Sequence, residues 1–126
     1  MKNKIESNKA PAAIGPYSQA ISTDSLVFVS GQIPVDRTTG AMPSTIEEQT
    51  RQSLKNIEFI LNEAGLTMDS IVKTTVLLND MNNFAKMNEV YASFFEKDAP
   101  ARACFEVSKL PKDAMIEIEA IAIKQN

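Results

Sequence analysis

An arginine and a cysteine in the segment 102–107 are the first candidates for chemistry. Side chains alternate along a strand, so Arg102 and Cys104 share one face. Ala103 lies on the other face. The Arg102 guanidinium offers two parallel donors that match a carboxylate, which predicts an organic acid as ligand. The alternative is that Arg102 pairs with a surface carboxylate and that Cys104 is a small buried hydrophobe.

Two carboxylates lie in a second apolar segment, 116–123. Glu117 and Glu119 are two residues apart, so in a strand they project from the same face, about 7 Å from each other. A carboxylate in so apolar a strand needs a partner. It is either salt-bridged to a neighbour or held with a raised pKa for proton transfer. The spacing alone does not assign either role to either glutamate.

Four further residues are weaker candidates. Tyr17 lies in a Gly-Pro loop and either packs with its hydroxyl on the backbone or reaches into a neighbour's cleft. Ser30 and Gly31 end a strand, where glycine permits close approach of a ligand or simply forms a bulge. Asn88 lies beside the buried face of a helix and is either a ligand contact or a local hydrogen-bonding group.

The composition excludes several kinds of site. The chain contains no histidine and one cysteine, so a Ser-His-Asp triad, a Cys-His pair and a His- or thiolate-rich metal site are impossible. Glycine-rich phosphate-binding loops are also absent from the sequence. An enzyme built from this chain would therefore use carboxylates, arginine, backbone groups and water, with no metal and no cofactor.

Charge and hydropathy narrow the partners and the location. A formal net charge of −3 argues against nucleic acid. No run of eighteen apolar residues and no apolar leader follow the charged N-terminus, so we expect no membrane segment. A single cysteine agrees with a reducing compartment. These features predict a cytoplasmic protein with one domain over residues 1–126.

Hydrophobic periodicity predicts the elements that must position these residues. After an extended arm of about twenty residues we expect strands at 26–30, 71–78, 102–107 and 116–123. A helix begins near residue 44 or 45, where Thr45 and Glu48 form a capping box, and Gly65 ends it. A second helix covers about 82–96, with Phe84, Met87, Tyr91 and Phe94 or Phe95 on its buried face.

This order predicts an α+β fold, a mixed β-sheet with two helices packed on one face. Because strand residues of both parities are apolar, two helices leave an apolar sheet face uncovered. We therefore expect a homo-oligomer in which copies of the chain cover that face, with pockets at the subunit seams.

Several of these segments together resemble the RidA (YjgF) family of reactive-intermediate deaminases, and the resemblance extends from residue 10 to residue 123. The motifs that carry it, in chain order, are Gly15-Pro16-Tyr17-Ser18-Gln19-Ala20, Ser30-Gly31-Gln32-Ile33-Pro34, Pro100-Ala101-Arg102-Ala103-Cys104, and Leu110-Pro111-Lys112-Asp113 through Ile116-Glu117-Ile118-Glu119-Ala120. Separated motifs in the right order are specific, whereas any one alone would be weak.

The resemblance implies a chorismate-mutase-like fold and a homotrimer with clefts between subunits. It also implies hydrolysis of 2-imino acids (2-iminopropanoate and 2-iminobutanoate) to 2-keto acids and ammonia. The imines arise from pyridoxal-phosphate-dependent dehydratases, which are a functional link. Arg102 would bind the substrate carboxylate and Glu117 would orient the attacking water. The implied lining of the pocket is Tyr17, Ser30, Gly31, Asn88, Ala103 and Cys104.

Two alternatives stay open beside the deaminase. The same Arg102 pocket could serve a non-catalytic regulatory protein that binds small carboxylates, since a fold does not settle a function. Relatives have also been described as endoribonucleases or translation inhibitors. That function fits the composition poorly, because there is no histidine acid/base pair and no basic stripe.

Overall fold

The computed structural model describes residues 1–124 and contains a six-stranded mixed sheet with two helices. In chain order the elements are β1 (Asn3–Ile5), β2 (Ala20–Ser22), β3 (Leu26–Gln32), α1 (Ile46–Glu63), β4 (Ile71–Leu78), α2 (Phe84–Ala92), β5 (Ala101–Glu106) and β6 (Ile116–Ile123). Short 3-10 turns at Met68–Ser70, Met81–Asn83 and Pro111–Asp113 precede β4, α2 and β6. None of the helices in the described part of the chain is long and apolar enough to cross a membrane.

The sheet has the strand order β1-β2-β3-β6-β4-β5. Neighbouring strands are antiparallel except β4 and β5, which are parallel and joined through α2. Parallel neighbours need a crossover connection, and a helix is the usual one. This connection brings α2 onto the sheet beside the edge strand β5.

Both helices pack on one face of the sheet, as predicted. The strand residues of this helical face are buried: Val27, Val29, Thr74, Val76, Leu78, Ile116, Ile118, Ala120 and Ala122. The alternate residues form the other face, which we call the open face. On it Phe28 is 43 % exposed and Phe105 56 % exposed. The α+β prediction is therefore confirmed, and one sheet face remains accessible in the single chain.

The helix α1 follows its sequence signals closely. Its first turn is capped by Thr45, whose hydroxyl accepts a hydrogen bond from the Glu48 amide at 3.2 Å. The Glu48 carboxylate bonds to Arg51 instead of closing the predicted capping box. Gly65, at φ +74°, follows the last turn in the left-handed conformation that glycine adopts without strain.

Three elements differ from the sequence-based prediction by more than a shift of about one residue at their ends. The extended arm contains two short strands, because β1 and β2 pair with each other and β2 pairs with β3. The strand β3 does not end at Ser30 but continues through Gly31 to Gln32, and a β-bulge between Val29 and Gln32 shifts its register with β6. The helix α2 is shorter than 82–96, since the chain tightens into i→i+3 hydrogen bonds beyond Ala92, as in Phe95 N to Ala92 O at 3.2 Å.

Buried amides fasten the loops around the sheet. The Gln19 side chain is 3 % exposed and bonds the backbone of Ser7, Ala10 and Pro11. Asn56 of α1 donates to the carbonyls of Ile33 and Val35. Each of these amides replaces water as the partner of buried backbone groups. They hold the N-terminal arm and the chain after β3 in fixed positions.

Candidate functional site

Arg102 lies on the helical face of the sheet, in the edge strand β5. It is in register with Thr74 of β4, which is fully buried under the helices. Its Nη1 donates a hydrogen bond to Asn88 Oδ1 of α2 at 2.7 Å. The guanidinium carbon is 5.5 Å from the centre of the Phe84 ring and 4.8 Å from that of Tyr91. One helix therefore supplies every side chain that these contacts place around the guanidinium.

No acidic side chain pairs with Arg102 within residues 1–124. A surface ion pair, the alternative offered by the sequence, is therefore not found in the described part of the chain. The guanidinium borders a cavity of about 500 Å³ whose other walls are largely apolar. The residues lining that cavity are Asn88, Tyr91, Ala92, Phe95, Ala99, Pro100 and Arg102. A cationic fork at an apolar cavity is suited to a small organic acid.

Cys104 follows Arg102 on the same face, as the alternation predicted, and is in register with Val76. Its side chain is half-buried against the core. Burial raises the pKa of the Cys104 thiol, although the Arg102 charge acts in the opposite direction. A thiol with a raised pKa is a weaker nucleophile at neutral pH. Ala103 lies on the open face, in register with Thr75.

Glu117 lies on the open face, in β6, in register with Leu77. Within residues 1–124 it forms no salt bridge. Burial raises the pKa of its carboxyl group, and the negative charge of Glu119 raises it further. The ion-paired alternative that the sequence left open for a carboxylate in this strand is therefore not found in the described residues.

Gly31 makes room for Glu117. Ser30 and Gly31 lie in a bulge of β3, where the three steps from Val29 to Gln32 are matched by two on β6. A Cβ at position 31 would lie 2.9 Å from the Glu117 Cδ and 3.1 Å from its Cγ. Only glycine leaves this space, so the bulge and the missing side chain together set the position of the carboxyl group.

Tyr17 and Ser30 line two different cavities. Tyr17 is 53 % exposed and lines a cavity of about 490 Å³ together with Gly31. Ser30 donates a hydrogen bond to the Ser18 carbonyl at 2.6 Å. It borders a separate cavity of about 320 Å³ on the open face, with Lys73 and Glu119. Ser30 thus ties β3 to the loop that carries Tyr17.

The structure brings the predicted site residues together in two groups rather than one. Arg102, Asn88 and Cys104 are on the helical face, whereas Glu117 and Gly31 are on the other side of the sheet. Arg102 and Glu117 are two strands apart, roughly 10 Å, and offset by three residues along β4, roughly another 10 Å. Within a single chain they cannot contact the same small molecule.

The contacts of Phe84 and Tyr91 with the guanidinium were not predicted from the sequence. Hydrophobic periodicity placed both residues in the helix core, although Phe84, Asn88 and Tyr91 follow each other at spacings of four and three residues. This spacing places them on one side of the helix, and it was the signal that could have joined them. Among residues 1–124 no cluster of three or more acidic or cysteine side chains could hold a metal ion.

Comparison with known proteins identifies the family. Residues 7–124 match the family model described as Endoribonuclease L-PSP. The chain belongs to this family. A RutC family protein from Pyrococcus horikoshii is 54 % identical over 99 % of this chain and 100 % of its own length. A 2-iminobutanoate/2-iminopropanoate deaminase from Salmonella typhimurium is 52 % identical over 99 % of this chain and its full length.

The solved structures agree with the L-PSP assignment. The crystal structure of Escherichia coli TdcF with bound serine superposes with a TM-score of 0.95 and is 47 % identical. The match covers 98 % of this chain and 99 % of that structure. The resemblance to the RidA deaminases is thus confirmed over the whole described domain, and the L-PSP fold is shared in full.

Proposed function

We propose that this protein hydrolyses 2-imino acids such as 2-iminopropanoate and 2-iminobutanoate to 2-keto acids and ammonia. The observation that carries the proposal is the Arg102 guanidinium, which is fixed by Asn88 at 2.7 Å and has no acidic partner within residues 1–124. It faces a cavity large enough for a small acid. The relative named for this activity, which is 52 % identical, supports the same substrate class.

The reaction requires that the substrate and one water molecule be held in place and that one group transfer protons. The imine nitrogen first takes up a proton from bulk water. Water then adds to C2 while Glu117 accepts a proton from it, which gives a neutral carbinolamine. Glu117 returns this proton to the nitrogen, accepts the proton of the C2 hydroxyl as ammonia leaves and the carbonyl forms, and finally releases it to bulk water. The pKa of the Glu117 carboxyl group is raised and so lies nearer to neutral pH. A group with such a pKa can both accept a proton and return it. Arg102 holds the carboxylate and so fixes C2 against the water.

The proposal requires that two copies of the chain form the site, because Arg102 and Glu117 lie on opposite faces of one sheet. One copy supplies Arg102, Asn88 and Cys104, and its neighbour supplies Glu117 and Gly31. The exposed apolar residues of the open face support such an assembly, since a soluble monomer rarely leaves so much apolar surface bare. We propose the homotrimer that the resemblance implies.

The remaining predicted residues complete the pocket in this proposal. Tyr17 contributes an accessible ring next to Gly31. Cys104 shapes the wall beside Arg102, Ala103 lines the open face, and Ser30 fixes the bulge. The imines themselves are products of pyridoxal-phosphate-dependent elimination from serine or threonine, so a dehydratase of that type is the expected source of substrate.

A coupled assay tests the function. A pyridoxal-phosphate-dependent dehydratase with threonine generates 2-iminobutanoate, and the release of 2-oxobutanoate is timed with and without this protein. We expect faster release with the wild type and with Arg51→Ala, a surface arginine of α1 paired with Glu48. Arg102→Ala should abolish both the acceleration and the binding of 2-oxobutanoate in calorimetry. Normal acceleration by a folded Arg102→Ala protein would refute the proposed function.

A non-catalytic binding protein is the second candidate, and the serine bound in the TdcF structure favours it, because serine is not an imine. The coupled assay separates the two: a sensor would bind 2-oxobutanoate through Arg102 without accelerating its release. The family model carries the description endoribonuclease. A chain without histidine and with a net charge of −3 offers neither the usual acid/base pair nor a basic surface for RNA.

A further inference from the structure

The side chains around Arg102 form an arrangement that the proposed reaction does not by itself explain. Phe84, Asn88 and Tyr91 project from one side of α2, and all three contact the same guanidinium. The ring centres lie at 5.5 Å and 4.8 Å, within the range of a cation–π contact. Two aromatic rings and one amide therefore restrict a side chain that otherwise has four rotatable bonds.

The Tyr91 ring is itself held in place. Its hydroxyl shares a hydrogen bond of 2.6 Å with the hydroxyl of Thr74, which is fully buried. The Phe95 ring packs against it with ring centres 4.8 Å apart. Thr74 is also the β4 residue in register with Arg102. The ring and the guanidinium that it contacts are thus anchored to the same point of the sheet.

We propose that Tyr91, with Phe84, is a positioning residue that orients the Arg102 guanidinium for the substrate carboxylate. The inference rests on the proposed function of Arg102. A guanidinium donates to both oxygens of a carboxylate only when its N–H edge points at them, and contact with the face of a ring restricts the orientation of its plane. Asn88 occupies one N–H group of Nη1 and leaves the other donors of the fork available.

The pair Tyr91→Phe and Tyr91→Leu tests the ring directly, because both variants lack the hydroxyl and only one lacks the ring. We expect Tyr91→Phe to bind 2-oxobutanoate within about threefold of the wild type. Tyr91→Leu should raise the Kd by about 5- to 30-fold, the range of a partly shielded cation–π contact. The KM for 2-iminobutanoate should rise by a similar factor with little change in kcat, since the carboxylate does not change during the reaction.

Two further variants guard against a loss that reflects folding alone. Phe84→Leu removes the outer ring from a half-buried position and should raise the Kd in the same direction by a smaller factor. Phe59→Leu makes the same change at a partly buried position of α1, against the core. It should lower the melting temperature and leave the Kd unchanged. In wild-type NMR spectra the Arg102 guanidinium resonances should show a ring-current shift that Tyr91→Leu reduces, leaving the part due to Phe84.

The outcomes separate this inference from the proposed function. Wild-type affinity for 2-oxobutanoate in folded Tyr91→Leu, with Arg102→Ala inactive, would overturn the positioning role and leave the function of Arg102 intact. If Tyr91→Leu does not fold, unchanged affinity in Phe84→Leu overturns it in the same way. If Tyr91→Phe loses as much affinity as Tyr91→Leu, the Thr74 hydrogen bond and not the ring is responsible, and the inference is wrong. Full activity in Arg102→Ala would instead refute the function on which the inference rests.

Discussion

The carboxyl group of Glu117 lies over the backbone of Gly31, in the space that a Cβ at position 31 would occupy. The two residues are on neighbouring strands, β3 and β6, which pair across the bulge. The contact fixes one of the two proposed catalytic side chains without any ion pair within residues 1–124. In the proposed site, glycine at position 31 is therefore what leaves room for the Glu117 carboxyl group.

We expect Gly31→Ala to lower kcat/KM by about tenfold or more, because the new methyl group displaces the Glu117 carboxyl. The φ of Gly31 is not in the left-handed region, so the effect is a collision between side chains and not backbone strain. Gly65→Ala is the matched control: at φ +74° it should cost about 1 kcal/mol of stability, yet nothing lies within 4 Å of its Cβ and activity should be kept. Equal kinetics for Gly31→Ala and wild type would contradict the assigned position of Glu117.

Glu117→Gln should remove activity and raise stability at neutral pH. The pKa of Glu117 is raised in the folded protein, so the fold favours the protonated form. The corresponding stability is complete below the ordinary value of 4.5 and is lost as pH rises through the folded pKa. Glutamine cannot ionise. The melting temperature of the Glu117→Gln protein should therefore exceed that of the wild type at pH 7, and the two values should converge near pH 4.

The same variant should lower kcat by about 100-fold or more, as expected when a general base is lost. Glu119→Gln serves as the comparison, because it removes the neighbouring charge that helps to raise the pKa of Glu117. It should keep activity and shift the acidic limb of the pH–rate profile to lower pH. A Glu119→Gln enzyme as inactive as Glu117→Gln would mean that the roles of the two glutamates were assigned wrongly.

Arg102→Lys should lower kcat/KM by about tenfold or more, on the order of 1.4 kcal/mol, in a protein that stays folded and oligomeric. Lysine keeps the charge but loses the planar fork and the contacts of the guanidinium with the Phe84 and Tyr91 rings. Steady-state kinetics of the coupled reaction measures the loss. Full rescue by lysine of what alanine destroys would show that only the charge matters.

Cys104→Ser should retain most of the activity. Burial raises the pKa of the thiol, so little thiolate is present at neutral pH, and water can attack the imine directly. Mass spectrometry of the protein during turnover should find no adduct on Cys104. Complete loss of turnover in a folded serine variant would argue for covalent catalysis by the thiol.

Phe28→Asp should dissociate the assembly and abolish activity together. Phe28 is 43 % exposed on the open face, in register with Ile121, and a buried aspartate there would lack a partner. Met81→Asp is the control, since Met81 is exposed to a similar degree, 37 %, in the turn before α2. Sedimentation velocity gives the mass. A wild-type monomer at micromolar concentration, or a fully active Phe28→Asp monomer, would refute the shared site.

Elements with local signals were predictable from the sequence alone. The helix α1 carries its own cap at Thr45 and its own stop at Gly65, and both lie where the sequence placed them. The alternation in 116–123 placed Glu117 and Glu119 on one face. The absence of histidine excluded most hydrolytic sites before any coordinate was known. Such features depend on residues within about one turn or one strand, so no distant partner is needed to decide them.

The way in which those elements meet became visible in the folded chain. Alternation shows that Arg102 and Cys104 share a face, but the register of β5 with β4 shows that this face is the one under α2. The contacts of Glu117 with Gly31 and of Arg102 with Tyr91 join residues far apart in the chain. The strands β1 and β2 form because neighbouring strands supply their hydrogen bonds, not because their own sequence favours extension. Strand order and register are properties of the whole sheet, so no local pattern could place Arg102 and Glu117 on opposite faces.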